Sequence, residues 1–254
     1  VVGGQRAFAH DEGHVTGTFH TFDALDVGGG LPPRKVHVFL PRGARPGGRR
    51  FRVVIMHDGD TSFWPGGIAR QTWHTAEALA RVGDDVEPVI VVAVHPLDRN
   101  AEYTHVDWSQ GRRPWGQAPV YARMLAEHLV PFLDTHYPTI PEARARAVVG
   151  SSHGGLISFY AATRHPTVFG FAGAMSPSFF SGIEPPPWGP GELSLRDSPL
   201  VDEVWPVLTS PTLRPRVWIC WGLRRDGGDH NAVVEHLATR RGREMGQLLS
   251  TTAG

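Results

Sequence analysis

The sequence predicts an α/β fold built on a mostly parallel sheet, and three observations carry that expectation. Short β-branched or apolar runs alternate with longer helical patterns from residue 51 onward. One of these runs, "PVIVVAVHP" at 88–96, is apolar throughout, as a strand covered on both faces should be. Near mid-chain the strand-like "RAVVG" breaks into "SSHGG", and a nearly all-apolar helical run follows at once. Alternation of this kind places helices on both faces of a parallel sheet.

The elements follow in order. "HVTGTFHTF" and "KVHVFLP" read as two strands, and the Gly/Pro-rich "GGGLPP" between them suits an antiparallel hairpin. "FRVVIMHDGD" is a strand that ends in a glycine turn. Residues 68–82 carry helical spacing in Ile68, Trp73, Ala76, Leu79 and Ala80. After the 88–96 strand, Tyr121, Leu125, Leu129 and Phe132 mark one face of a helix over 118–136. "ARAVVG" is the next strand and 154–164 the helix behind it. "GFAGAMS" and "RVWICWG" are two further strands, and 231–249 is a last helix. Between those two strands lies a proline-rich insert, 181–214, which is expected to hold no regular element.

A chain of 254 residues with 41% hydrophobic content can bury a large core, and a single domain spanning 1–254 is expected. Lys plus Arg and Asp plus Glu number 25 each, so no charge excess points to nucleic acid or an anionic membrane. The arginine clusters at 49–52, 224–225 and 240–243 are expected to be solvated surface. No apolar run reaches the ~20 residues needed to span a bilayer. No signal-peptide pattern is present in these residues, and a cytoplasmic location is expected. One cysteine, Cys220, excludes an internal disulfide, and its apolar neighbours predict packing rather than reactivity. The 14 histidines form no HExxH or CxxC pairing, so no metal site is expected.

The chemistry lies in Gly150-Ser151-Ser152-His153-Gly154, a G-x-S-x-G at a strand-to-helix junction. At such a turn the serine hydroxyl stands clear of the sheet on a strained backbone. Residues two before and two after come too close to carry side chains, hence Gly150 and Gly154. The spacing makes Ser152 the candidate nucleophile. A serine hydroxyl needs a base, and the base needs an orienting carboxylate. In chain order the acid follows the serine and precedes the histidine. Asp226, in "LRRDGGD" after the "RVWICWG" strand, is the candidate acid, with Asp229 second. An oxyanion hole needs two backbone N–H groups. One is expected from His153, and the other from the "MHDGD" loop, which offers Gly59 and Asp60, where glycine lets the backbone approach the substrate. Of the tryptophans at 64, 73, 108, 115 and 188, several fall in expected loops near the strand C-termini, where they either line the site or cap the core.

Several segments together resemble a known family. They are "VVIMHDGDTSFW", "VVAVHPLDRNAEYT", "LVPFLDTHYPT" and "VVGSSHGGLISFYAATRHPTVFGFAGAMSPSFF". They are similar to the putative-esterase branch of the α/β-hydrolases, which includes enterochelin-esterase-like and feruloyl-esterase-like enzymes, esterase D and the mycolyltransferases. The resemblance covers roughly residues 50–230. It implies a Ser–His–acid hydrolase of small-molecule carboxylic esters with no metal or organic cofactor. It implies Ser152 as nucleophile, Asp226 as acid and the amides of Asp60 and His153 as oxyanion donors. It also implies a structural or substrate-facing role for Arg99, Glu102 and Tyr103. Acyl transfer to an alcohol on the same site, and a non-catalytic binding protein, stand as alternatives.

The C-terminus departs from the family pattern. There the catalytic histidine follows one more strand, whereas these residues stop after the 231–249 helix. The sheet is therefore expected to lack its last strand and helix. Three readings stay open: a histidine beyond Gly254, His230 of "GGDHN" acting in its place, or a fold kept without the chemistry. Without that strand, "RVWICWG" is a hydrophobic sheet edge, which a second copy of the chain could cover in a homodimer.

Overall fold

The computed structural model of the chain describes residues 1–67, 70–109, 113–184, 193–222 and 232–252. Its centre is an eight-stranded sheet in the order β1-β2-β3-β5-β4-β6-β7-β8. The strands are β1 Phe8–His10, β2 Gly17–Leu25, β3 Arg34–Pro41, β4 Arg52–Met56, β5 Val89–Val94, β6 Arg146–Ser151, β7 Phe171–Met175 and β8 Arg216–Cys220. β1, β2, β3 and β5 pair antiparallel in turn. β5, β4, β6, β7 and β8 run parallel. This is the mostly parallel α/β sheet that the sequence predicts. The N-terminal hairpin gains a short third strand, β1, too brief to leave a periodic signal.

Strand alternation sorts the core into two faces. Val53, Ile55, Ile90, Val92 and Val148 pack on one side with the long helices. Met56, Val91 and Ala93 pack on the other with Phe19, Phe39 and Phe63. Neighbours in one strand go to opposite faces because the side-chain period is two. Each fully buried aliphatic side chain contributes about 1.5–3 kcal/mol.

The helices are α1 Gly59–Ser62, α2 Thr75–Val82, α3 Arg99–Tyr103, α4 Ala118–Met124, α5 Val130–His136, α6 His153–Arg164, α7 Pro199–Leu208 and α8 Ala232–Thr251. A π-helical turn, Leu125–Leu129, joins α4 to α5. Pro131 in the first turn of α5 has no N–H to continue the regular ladder, and the wider turn absorbs that break. The helical path over 118–136 thus matches its expected span.

Two expectations are corrected. The helix expected over 68–82 begins only at Thr75, and Trp73 is 41% exposed. Ile68 lies outside the described residues. The insert expected to hold no regular element contains α7. Pro199 sits at its start, where a missing N–H costs nothing, and the Ser198 hydroxyl accepts from the Val201 amide. Pro206 lies inside the helix only two residues before its end at Leu208. Proline position, rather than proline count, decides here.

β8 lies at the sheet edge among the described residues, and Trp218 on it is half exposed. Cys220 on the same strand is half-buried, a looser setting than expected. No helix among the described residues is long and apolar enough to cross a membrane.

Candidate active site

β6 delivers the chain to Ser152, and α6 carries it away. Ser152 itself adopts φ 58° and ψ −122°, a backbone region that L residues rarely occupy. The conformation is over-determined by its surroundings. The Ser152 amide donates to the Met175 carbonyl at 2.9 Å. The Ser152 carbonyl accepts from the amides of Leu156 and Ser178, both at 3.0 Å. A Cβ on Gly150 would stand 2.6 Å from the Gly154 carbonyl oxygen. One on Gly154 would meet Asp58 Oδ2 at 3.1 Å. The glycine spacing in the sequence therefore marks a real close approach.

α6 anchors this turn from behind. Ten of its twelve residues are buried. Ser158 and Thr163 hold buried places by donating to the carbonyls of Gly154 (2.7 Å) and Phe159 (2.8 Å) one turn back.

The loop after β4 meets the elbow from the other side. Asp58 is left-handed, with φ 53° and ψ 53°. Gly59 follows because a Cβ there would come within 2.7 Å of the Ala93 and Val94 carbonyl carbons. Arg99 grips Asp58 through two bonds of 2.7 and 2.9 Å and donates to the Ser151 carbonyl at 3.3 Å. The Asp58 amide donates to the Tyr103 hydroxyl at 3.0 Å. Glu102 accepts two bonds from Arg34, at 3.0 and 2.9 Å, and one from the Leu97 amide at 3.1 Å. Glu102 and Tyr103 are buried, so their polar atoms serve the scaffold, while Arg99 ties β4, α3 and the elbow together. Arg34 and Asp58 escaped sequence reasoning, since their partners lie 68 and 41 residues away.

Asp60 and His153 stand in the first turns of α1 and α6, where amides have no carbonyl partner within their own helix. The His153 ring lies against Asn100 of α3 and two tryptophans. Its Nδ1 lies 3.2 Å from Asn100 Oδ1, and Trp108 and Trp115 meet the ring edge-on. Burial, with a smaller contribution from the Arg99 charge, pushes its pKa down to about 3, so it is neutral at pH 7. Trp64 instead packs among Phe19 and His37 on the antiparallel side, and Trp188 lies outside the described residues.

A cavity of about 240 Å³ opens beside the elbow. Ser151, Ser152, Ser176, Ser178 and Phe180 line one wall, and Gly222, Val234, Glu235, Ala238 and Thr239 the other. The second wall is thus the end of β8 and the first turns of α8. The Ser152 hydroxyl lies 3.1 Å from the Ser178 hydroxyl. Asp226, Asp229 and His230 belong to the β8–α8 connection and lie outside the described residues.

One arginine expectation is corrected. Arg241 is fully buried rather than solvated. Its guanidinium meets the buried Glu184 through Nε (2.9 Å) and Nη2, Glu244 through Nη1 (2.6 Å) and the Leu193 carbonyl through Nη2 (3.1 Å). The Trp108 indole donates to the Glu184 carbonyl at 2.8 Å. This network binds α8 to the segment that follows β7.

A family model described as putative esterase matches residues 32–253. The chain belongs to that family. It is 30% identical over 133 residues to YjcH, an uncharacterized protein of Bacillus subtilis, covering 52% of this chain and 51% of that one. The chain thus spans about half the length of this curated relative. Among solved structures, an IroE-like serine hydrolase from Shewanella oneidensis superposes with a TM-score of 0.66 at 18% identity, over 91% of this chain and 69% of that one. The enterobactin esterase FES from Shigella flexneri gives a TM-score of 0.60 at 16% identity, over 99% of this chain and 52% of that one. At such identities these likenesses speak for the fold.

Proposed function

We propose that this protein hydrolyses small-molecule carboxylic esters through an acyl-enzyme on Ser152. The observation that carries the reading is the strained Ser152 backbone at the β6–α6 junction, facing a cavity. Family membership and the named activities of the structural neighbours support ester chemistry. The Ser152 oxygen attacks the ester carbonyl carbon while a histidine takes its proton. The amides of Asp60 and His153 hold the negative oxygen of the tetrahedral intermediate. The intermediate collapses, the carbon–oxygen bond to the alcohol breaks, and the histidine returns its proton to the departing alcohol. Water then repeats the sequence, releasing the acid and freeing Ser152.

Asp226 is the proposed orienting acid. The proposed base is a histidine, for which His230 is the candidate within these residues. Arg99, with Asp58, holds the oxyanion loop against the elbow. A panel of 4-nitrophenyl esters graded by acyl length, run beside aryl esters, tests the activity in the full-length protein. Ser152→Ala should lower turnover by about 10⁴-fold or more, because no second nucleophile replaces it. A variant that keeps its rate removes the reading.

A further inference from the structure

We propose that Ser178 is a positioning residue for the nucleophile, holding the Ser152 oxygen and donating to it whenever that oxygen carries negative charge. The inference rests on the reading of Ser152 as nucleophile and adds a second hydroxyl to the site. In the sequence, "AMSPSFF" is a strand end followed by an unremarkable Ser-Pro-Ser turn. In the structure that turn is locked to the elbow.

The lock has several parts. The Ser178 amide donates to the Ser152 carbonyl at 3.0 Å, and the two hydroxyl oxygens lie 3.1 Å apart. Ser178 is 1% exposed, so its side of the pair is shielded from bulk water. Ser176, two residues earlier, takes a positive φ of 41° and donates its amide to the Cys220 carbonyl at 2.7 Å. A Cβ on Gly155 would meet Pro177 Cα at 3.2 Å, so the turn lies directly on α6. Phe179 then plugs into the core against Phe159, with ring centroids 5.1 Å apart, and is fully buried. The Ser178 hydroxyl is therefore held at a fixed distance from the reacting oxygen.

At rest either serine can donate to the other. That symmetry ends when the base withdraws the Ser152 proton. The Ser152 oxygen then has no hydrogen, and the Ser178 O–H becomes the donor. A hydrogen bond to a charged acceptor is roughly twice as strong as a neutral one. The contact thus strengthens along the reaction coordinate, which is the condition for it to raise kcat. In the acyl-enzyme the same oxygen is an ester oxygen and a weak acceptor. During deacylation its bond to the acyl carbon breaks, negative charge grows on it until the base returns the proton, and the Ser178 bond forms again. Ser178 keeps its own proton throughout, so no group beyond the base is needed for proton balance.

The experiment compares full-length wild type with Ser178→Ala, Ser178→Thr and Ser178→Cys, using 4-nitrophenyl acetate and a fluorophosphonate probe. Ser178→Ala should lower kcat about 10- to 100-fold with KM nearly unchanged. Ser178→Thr should restore most of the rate by returning the hydroxyl. Ser178→Cys keeps the volume with a weak donor and should resemble alanine, which covers the case in which alanine perturbs folding. A merely structural role would follow thermal stability instead, with threonine worse than alanine at this buried position. Wild-type kcat in both the alanine and cysteine variants overturns the inference. If the probe still labels Ser152 in those variants, the nucleophile reading survives that outcome. If the probe leaves Ser152 unlabelled in wild type, both fall.

Discussion

The elbow and the β8–α8 edge face each other across one cavity, and they are held by different forces. On the elbow side, α6 buries ten of its twelve residues and meets two strands closely through glycines. On the opposite side β8 has no fully buried residue, and α8 buries only six of its twenty. That side is fastened instead by polar contacts. Arg241 reaches Glu184 and the Leu193 carbonyl, and Arg214 reaches the Leu249 carbonyl and Thr252 Oγ1. Apolar packing fixes the strained serine where a small displacement is costly. Polar clamps at a few points hold the wall from which the acid and base are proposed to come.

Breaking the clamp should give the largest effect on stability. Arg241→Met removes the buried guanidinium that bonds the buried Glu184 carboxylate. The variant should lose about 3 kcal/mol, because it removes a buried, hydrogen-bonded charge partner while Arg240 stands farther off, 3.9 Å from Glu184 Oε1. Adding Glu184→Gln should recover much of that loss. Urea titrations of the single and double variants measure both, and an additive double variant would contradict the clamp. Ester hydrolysis should fall with the single variant as the α8 wall shifts.

Two glycine variants sharpen the same contrast. Gly150→Ala drives a methyl to 2.6 Å from the Gly154 carbonyl, and overpacking of this kind costs about 1–3 kcal/mol. Displacing Ser152, the proposed nucleophile, by even ~1 Å should cost roughly 10²-fold in rate. Gly246→Ala, on α8, meets nothing within 4 Å and should raise stability by up to about 1 kcal/mol. Thermal melts of the two proteins should therefore move in opposite directions. A shared direction would mean that the two sides are not packed differently.

The smallest expected effect per residue is an acid dependence from two buried histidines. Burial pushes His37 and His57 down to about 3. In the unfolded chain each titrates near ~6.5. The unfolded state therefore binds protons that the folded state refuses. Their contribution is complete above that value and is lost as pH falls toward 3. Between pH 7.5 and 5.5 each should cost about 1 kcal/mol. Urea midpoints at the two pH values check this, and His57→Asn should flatten the slope. A midpoint that rises on acidification would contradict neutral burial.

The same division explains what the sequence revealed. The elbow is local: two glycines, a serine and an apolar helix within fifteen residues, each dictated by short-range sterics. Strand β5 was legible because burial on both faces makes it apolar throughout. The clamps were not, since Arg34–Glu102, Asp58–Arg99 and Glu184–Arg241 join residues 68, 41 and 57 positions apart. An arginine in such a pair looks like any surface arginine in the chain. Helix α7 was missed because prolines break helices in the middle yet suit their first turn. Ser178 left no sequence signal either, because its meaning comes from the distance to Ser152.

The central claim is that Ser152 is an activated nucleophile. Full-length protein treated with a fluorophosphonate and digested for mass spectrometry tests it directly. The account predicts one phosphonyl adduct, on Ser152, with loss of ester hydrolysis in step with labelling. Hydrolysis that persists while Ser152 stays unmodified, or an adduct on another residue that abolishes activity, would contradict it.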